Sequence, residues 1–111
     1  MQTYAFANPI QPGKTETWKG YVQEMTGPRK AELQASRKRV GLSKEEVWLQ
    51  STPQGDMAVV YWEADDIGKV FEGFMTSTDP FDKWFREKIL MEVHGMNPSG
   101  PMPPMNTQIL K

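Results

Sequence analysis

Asp82 is one candidate for a catalytic residue, because of the residues around it in the sequence. It lies in the stretch STDPFDKWFREKIL (77–90), close to Phe81, Trp84 and Phe85. A carboxyl group among aromatic rings is expected to have a raised pKa, which suits a general base in proton transfer. Trp84 and Phe85 could themselves bind a substrate, because such rings stack on aromatic compounds. One hypothesis is therefore that this stretch belongs to an active site.

The same stretch is also typical of the start of a helix, and this second interpretation is the favoured one. Asp79 suits the N-cap, Pro80 the first helical position, and Asp82 the first turn, where a carboxylate faces the positive end of the helix dipole. The helix is predicted to run to about His94 and to end at Gly95. The helix start by itself explains every residue of the stretch.

His94, the only histidine of the chain, is a second candidate for catalysis. The pKa of a histidine suits a general base, and its ring can also bind a haem iron. The favoured interpretation, however, is a solvent-facing histidine near the end of a helix, since the helix dipole favours a positive charge there.

Arg29 and Glu46 are the remaining candidates for catalysis. Together they could form a charged pair at the mouth of a pocket and orient a carboxylate or enolate. The alternative is an ordinary ion pair on the surface or in a dimer interface.

Asn8, Tyr61 and Trp62, with Trp84 and Phe85, form a candidate substrate-binding set. The amide of Asn8 could hold a carbonyl group, and the rings could stack on an aromatic substrate. Core packing is the alternative for the tryptophans. No metal site is expected, because the chain has one histidine, no cysteine and no pair spaced as in HxxxH.

Composition limits the classes of function. The chain has 111 residues, which fits one domain, and a net charge of −1, which gives no basic field for nucleic acid. The N-terminal stretch lacks a basic region followed by a long apolar run, so no secretory signal is expected. No apolar stretch approaches the roughly 18–20 residues of a membrane span. A cytoplasmic protein without a membrane partner is the resulting expectation.

The elements predicted around these residues alternate between strand and helix. Strands are predicted at 3–10, 45–51 and 57–64, the last two as an antiparallel hairpin. Residues 15–40 are predicted to be helical, with either a kink at Gly27-Pro28 or two helices, the second starting at Pro28. The short basic run 37–39 is interpreted as the solvated end of this helix, with Gly41 as its cap. Asp65-Asp66 is predicted to cap a third helix.

The order predicts an α+β, ferredoxin-like βαββα(α)(β) domain over residues 1–96, with an antiparallel sheet. The strand at 57–64 is apolar on both faces, yet the helices can cover only one. The partner expected on the other face is a second copy, which makes a homodimer. The tail, 97–111, is rich in Pro and Met. TQIL (107–110) within it is either a last strand, including one laid on a partner's sheet edge, or disordered.

This layout resembles the dimeric α/β-barrel superfamily, in which two sheets close into a barrel across the dimer. More narrowly, the chain is similar to a family of uncharacterised small bacterial proteins in that group. The stretches that carry the resemblance are PGKTETW, GPRKAELQ followed by EEVWLQS, AVVYWEADD and STDPFD, within residues 3–94. The family often has a histidine shortly after the PxD element, where this sequence has Trp84 and Phe85.

The resemblance implies a ligand held between the sheet and its helices, as in the superfamily's cofactor-independent monooxygenases, lactone isomerases and polyketide cyclases. The first hypothesis is thus a small-molecule-binding protein, or an enzyme without a cofactor, acting on an aromatic or polyketide-like compound. The alternative is a non-catalytic homodimeric module whose aromatic residues fill the core completely. Haem binding is a third and weaker hypothesis, since the spacing of Asn, Trp and His here matches the haem-degrading members poorly.

Overall fold

The computed structural model of the protein describes residues 1–100 and 104–111; residues 101–103, part of the predicted tail, lie outside this description. The described residues form an α+β domain. Its strands are β1 (Gln2–Pro9), β2 (Leu42–Thr52) and β3 (Gly55–Ala64), and its helices are α1 (Thr15–Thr26), α2 (Lys30–Val40), α3 (Ile67–Thr76) and α4 (Pro80–Phe85), which continues as a π-helix over Arg86–Val93. None of the described helices is long and apolar enough to cross a membrane.

The strands form one antiparallel sheet in the order β1-β3-β2. The hairpin of β2 and β3 is confirmed, and Gly55 at its turn has a φ of 128°, a conformation that favours glycine. The order of the elements and the antiparallel pairing are compatible with a ferredoxin-like fold. The described residues 104–111 contain no regular strand.

Most helix ends follow the predicted caps. The side chain of Asp66 accepts a hydrogen bond from the Lys69 N–H, and that of Asp79 accepts from the N–H groups of Phe81 and Asp82. Gly41 caps α2 with a φ of 83°. The prediction for Pro28 was wrong in detail, because α1 and α2 are separate helices but α2 begins at Lys30.

The helices pack on one face of the sheet, and the core lies between the two layers. Even-numbered residues of β3, such as Val60 and Trp62, are buried there, and Trp62 packs against Phe71 and Phe74 of α3. The close approach of α3 to α2 requires a glycine at 73, since a Cβ there would lie 2.8 Å from a methyl carbon of Val40.

The other face of the sheet, called the open face here, carries no helix. The register places Ala5, Val59, Tyr61 and Trp48 on it. Trp48 is 53% exposed although it is large and apolar. The tail reaches the edge of this face, because the Asn106 amide donates to the main-chain carbonyl of Ala5. An exposed apolar sheet face of this kind is typical of an interaction surface.

The last helix differs from its predicted form in its hydrogen bonding. Its end near residue 94 is confirmed, and Gly95 terminates it with a φ of 66°. The His94 N–H donates to the carbonyl of Ile89, five residues earlier, as in a π-helix. Such segments are rare in proteins and occur frequently at functional sites.

Candidate functional site

A cavity of about 290 Å³ lies between the sheet and the helix layer. Its centre is apolar, with Phe6, Val60 and Val47 on the sheet side, Trp18 from α1 and Ile89 from the π-helix. Val47 is exposed, so the cavity opens toward the edge strand β2. Its volume is close to the lower end of the range for small-molecule sites, roughly 300–1,000 Å³.

Apart from Thr26, whose hydroxyl donates a hydrogen bond to the main-chain carbonyl of Val22, the polar groups of the cavity lie at its two ends. In the sheet register Asn8 is opposite Ala58, whereas Glu45 is opposite Trp62. Because four residues of β3 separate these two positions and a strand rises about 3.3 Å per residue, the ends are about 13 Å apart along the sheet. The cavity therefore has an apolar middle between two polar ends.

His94 and Asn8 form the first end, called the histidine end here. Both line the cavity, and His94 Nδ1 lies 2.8 Å from the main-chain carbonyl oxygen of Pro9. A carbonyl oxygen only accepts hydrogen bonds, so Nδ1 carries the proton of the neutral ring and Nε2 is an acceptor. Burial lowers the pKa of His94, and this effect outweighs the hydrogen bond to the Pro9 carbonyl, which raises the pKa. The neutral form of the ring is therefore favoured.

Trp62 forms the second end, called the tryptophan end here. Its ring is 5% exposed and contacts Phe6 and Phe71, with ring centroids 5.1 and 4.9 Å away. Its Nε1–H is buried and has no hydrogen-bond partner among the described residues. A buried donor without an acceptor is costly, and such groups are uncommon in folded proteins.

An ion pair between the buried Arg37 and the half-buried Glu45 completes the tryptophan end. Arg37 Nε and Nη2 donate to the two carboxylate oxygens of Glu45 at 2.8 and 3.1 Å, and the guanidinium also lies over the rings of Phe74 and Phe85. The two charges neutralise each other, so this end presents no uncompensated cation. The sequence interpretation missed this pair because it treated Arg37 as part of a solvated basic run.

Asp82 is fully buried but is not among the residues that line the cavity. Its carboxylate accepts hydrogen bonds from Arg39 Nε and Nη2, at 2.8 and 3.1 Å, and from the Ser77 hydroxyl at 2.6 Å. Burial raises the pKa of Asp82, but hydrogen bonds from Arg39, Ser36 and Ser77 outweigh it, and the net pKa is lowered. The expected raised pKa was therefore wrong, and the favoured first-turn position is confirmed.

Arg29 and Glu46 do not form the predicted pair. Arg29 binds Glu32 in a bidentate ion pair and lies over the ring of Trp84, whereas Glu46 pairs with Lys44 on the open face. Neither residue lines the cavity. Each of the two residues therefore forms an ordinary ion pair with a neighbour close in the chain, in agreement with the alternative interpretation.

The predicted substrate-binding set is divided by the structure. Asn8, Trp62 and Phe85 line the cavity. Tyr61 instead lies on the open face and donates a hydrogen bond of 2.6 Å to Glu63, and Trp84 packs on Tyr21 outside the cavity. Among the residues that the structure describes, no group of three or more His, Cys, Asp or Glu side chains could hold a metal ion.

Comparison with known proteins adds no identification. The sequence matches no protein-family model, and no curated protein matches it.

Proposed function

We propose that this protein binds a small aromatic or polyketide-like compound in the cavity between its sheet and its helices. The observation that carries the proposal is the cavity of about 290 Å³, with an apolar middle and polar groups at both ends. A module whose aromatic residues only filled the core would have no reason to keep such a space, because interiors are otherwise packed as densely as crystals. The π-helix in the cavity wall also favours a functional site.

Proton transfer is the reaction that the histidine end supports best. His94 Nε2 is an acceptor, and a neutral imidazole can remove a proton from an acidic O–H or from carbon next to a carbonyl. The amide of Asn8 can donate a hydrogen bond to the oxygen that becomes negative. In an isomerase or cyclase, His94 would return that proton to another atom of the product. In a cofactor-independent monooxygenase, the anion would react with molecular oxygen, and one of the two oxygen atoms would leave as water.

Homodimerisation through the open face belongs to the same proposal. A two-fold interface brings the same surface of both copies together, so it must be self-complementary. The open face offers apolar groups at its centre, Trp48 and Val59, and a mixed-charge pair, Lys44 and Glu46, beside them. Glu63, opposite Lys44 in the register, adds a second carboxylate to this face, so the apolar groups and not the charges are the basis of the proposed contact.

Haem fits this cavity less well than a small aromatic compound. His94 has a free Nε2 for an iron, but the cavity is at the small end of the range for drug-sized ligands. The propionates of haem would also need cations, and Arg37 is already neutralised by Glu45.

The test is to narrow the cavity at its mouth. Val47 lines the cavity and is 43% exposed, so Val47→Trp fills the opening at little cost to folding. Leu49→Trp is the matched control, because Leu49 is 37% exposed on the same strand and face but is not a lining residue. We expect Val47→Trp to weaken 2-naphthol binding by about tenfold, or 1.4 kcal/mol, and Leu49→Trp to leave it unchanged. Equal effects of the two substitutions would contradict the proposal.

A further inference from the structure

We infer that a second copy of this chain pairs with the free edge of β2, strand against strand, in an antiparallel register centred on Trp48. This edge contact uses main-chain groups at the side of the sheet, so it is additional to the contact proposed for the open face. Neither the ligand proposal nor the open-face contact depends on it.

The strand β2 is uncovered on both of its faces. It has 11 residues and stands last in the strand order β1-β3-β2, so the described residues give it a neighbouring strand only on the β3 side. Val47 and Leu49 on its helix side are 43% and 37% exposed, and Trp48 on the open face is 53% exposed. A long edge strand with exposed apolar residues is a template for pairing with another chain.

The hydrogen bonding of β3 indicates which main-chain groups of β2 face the free edge. The carbonyl of Asp56 accepts from the Ile10 N–H, so it points toward the β1 side. Because the direction alternates along an antiparallel strand, the groups of Met57, Val59 and Tyr61 point toward β2. Their partners there are the even-numbered residues. The N–H and C=O groups that face the free edge therefore belong to Glu45, Val47, Leu49 and Ser51.

A two-fold axis at Trp48 pairs all of these groups. Val47 of one copy then lies opposite Leu49 of the other, and Glu45 lies opposite Ser51, so every edge-facing N–H and C=O meets a partner. A register centred nearer either end of β2 loses pairs, because pairing would run into the irregularity near the start of β2 or into the hairpin turn at its end.

The side chains favour the same register. The apolar Val47 and Leu49 meet on the helix side, and the two copies of Trp48 meet on the open face. Glu46 lies opposite Gln50, so no carboxylate is directly opposite another, whereas a register centred on Glu46 would oppose two carboxylates. Apolar cross-strand pairs stabilise a sheet, and like charges directly opposite each other destabilise it.

The edge contact is short and is therefore expected to be weak. Residues 45–51 of a single strand are far fewer than the roughly 20–30 residues that each partner contributes to a standard interface. We expect the edge contact to form at high protein concentration, while the open face remains available for its own contact.

Disulfide cross-linking tests the register, because the chain has no cysteine of its own. Val47→Cys and Leu49→Cys proteins are prepared separately and are oxidised at high concentration, each alone and as an equal mixture. In a hydrogen-bonded pair the opposite Cα atoms are about 5.5 Å apart, within the range of a disulfide. Identical positions of the two copies lie diagonally, about 7–8 Å apart, which is too far for one.

We expect a cross-linked dimer in the mixture and none in either variant alone. Contact through the open faces cannot give this product, since Val47 and Leu49 both lie on the helix side. A cross-link in a single variant would assign a different register, and a mixture without any product would leave the edge unpaired; both results overturn the inference. A mixture of Leu49→Cys with Ile109→Cys tests the exposed C-terminal segment as the occupant, and a cross-link there also overturns it.

Leu49→Pro tests the main-chain pairing itself, since it removes an edge-facing N–H and proline is tolerated on edge strands. Ala7→Pro is the matched control, because Ala7 is exposed and its N–H faces the free edge of β1. Sedimentation at high protein concentration should show less association for Leu49→Pro than for the wild type and Ala7→Pro. Equal association of all three proteins would overturn the inference.

Discussion

His94 and Pro9 are joined by a hydrogen bond of 2.8 Å between the ring Nδ1 and the main-chain carbonyl oxygen. It connects the end of the last helix to the end of β1, and it determines which ring nitrogen is available to a ligand. The same contact places the ring where burial disfavours its charged form.

The lowered pKa of His94 predicts a loss of stability in mild acid. In the folded protein, burial lowers the pKa of His94 below the ordinary histidine value of about 6.5. The unfolded chain therefore binds a proton first as the pH falls, so stability is complete above about pH 6.5 and decreases as the pH falls through the folded pKa. Urea unfolding at pH 7.5 and pH 5 should show a larger loss for the wild type than for His94→Gln. Equal losses would mean that His94 is not held neutral.

Asp82→Asn is expected to lower stability and to leave ligand binding unchanged. The amide would place an N–H₂ against donors of Arg39 or Ser77, and it would lack the charge that Arg39 neutralises. We expect a loss of about 2–4 kcal/mol in the free energy of unfolding, measured by urea denaturation. Asp65→Asn, at an exposed carboxyl, is the control and should have little effect. A stable Asp82→Asn protein that no longer binds ligand would place Asp82 in the site after all.

Arg37 and Glu45 should behave as a coupled pair. Arg37→Met leaves a half-buried carboxylate without a partner, so we expect it to cost about 2–3 kcal/mol. Adding Glu45→Gln should recover part of that loss, with a coupling energy of about 1–2 kcal/mol in the double-mutant cycle. Additive effects would show that the ion pair contributes nothing beyond its separate side chains.

Trp48→Lys is expected to convert a dimer into a monomer. Trp48 is 53% exposed on the open face, so the substitution removes an apolar side chain from the proposed interface without disturbing the core. Native mass spectrometry of both proteins measures the change directly. Gln50→Lys adds the same charge to the same strand and face, further toward its end, and should disturb the dimer less. A monomeric wild type would contradict the two-sheet arrangement.

The fold followed from local signals in the sequence. The cap at Asp66, the Asp79-Pro80 start and the glycine after α2 depend on side-chain and backbone preferences that act within one turn. The alternation of β3 likewise indicated which residues face the helices. The π-helical hydrogen bonding was not predictable, because its apolar spacing is close to that of an ordinary helix.

The residues that line the cavity were predicted only in part, because contacts between residues far apart in the chain determine which side chains reach it. Asn8, Trp62 and His94 were identified by residue type, and the fold brings them to one cavity. Arg37 was missed, although a signal exists: Leu33, Arg37 and Val40 recur at helical spacing, which places the arginine on the buried face. The raised pKa considered for Asp82 was wrong, although its favoured position in the first helical turn was right, because that pKa depends on Arg39, which is 43 residues away in the chain.

The most direct test of the account follows the indole N–H signals of the four tryptophans by NMR during a titration with 2-naphthol. Trp62 and Trp18 line the cavity, whereas Trp48 lies on the open face and Trp84 packs outside. Single substitutions to Phe assign the four signals. The account predicts that the signals of Trp62 and Trp18 shift and that those of Trp48 and Trp84 do not. Shifts confined to Trp48 or Trp84 would contradict a ligand site in the cavity.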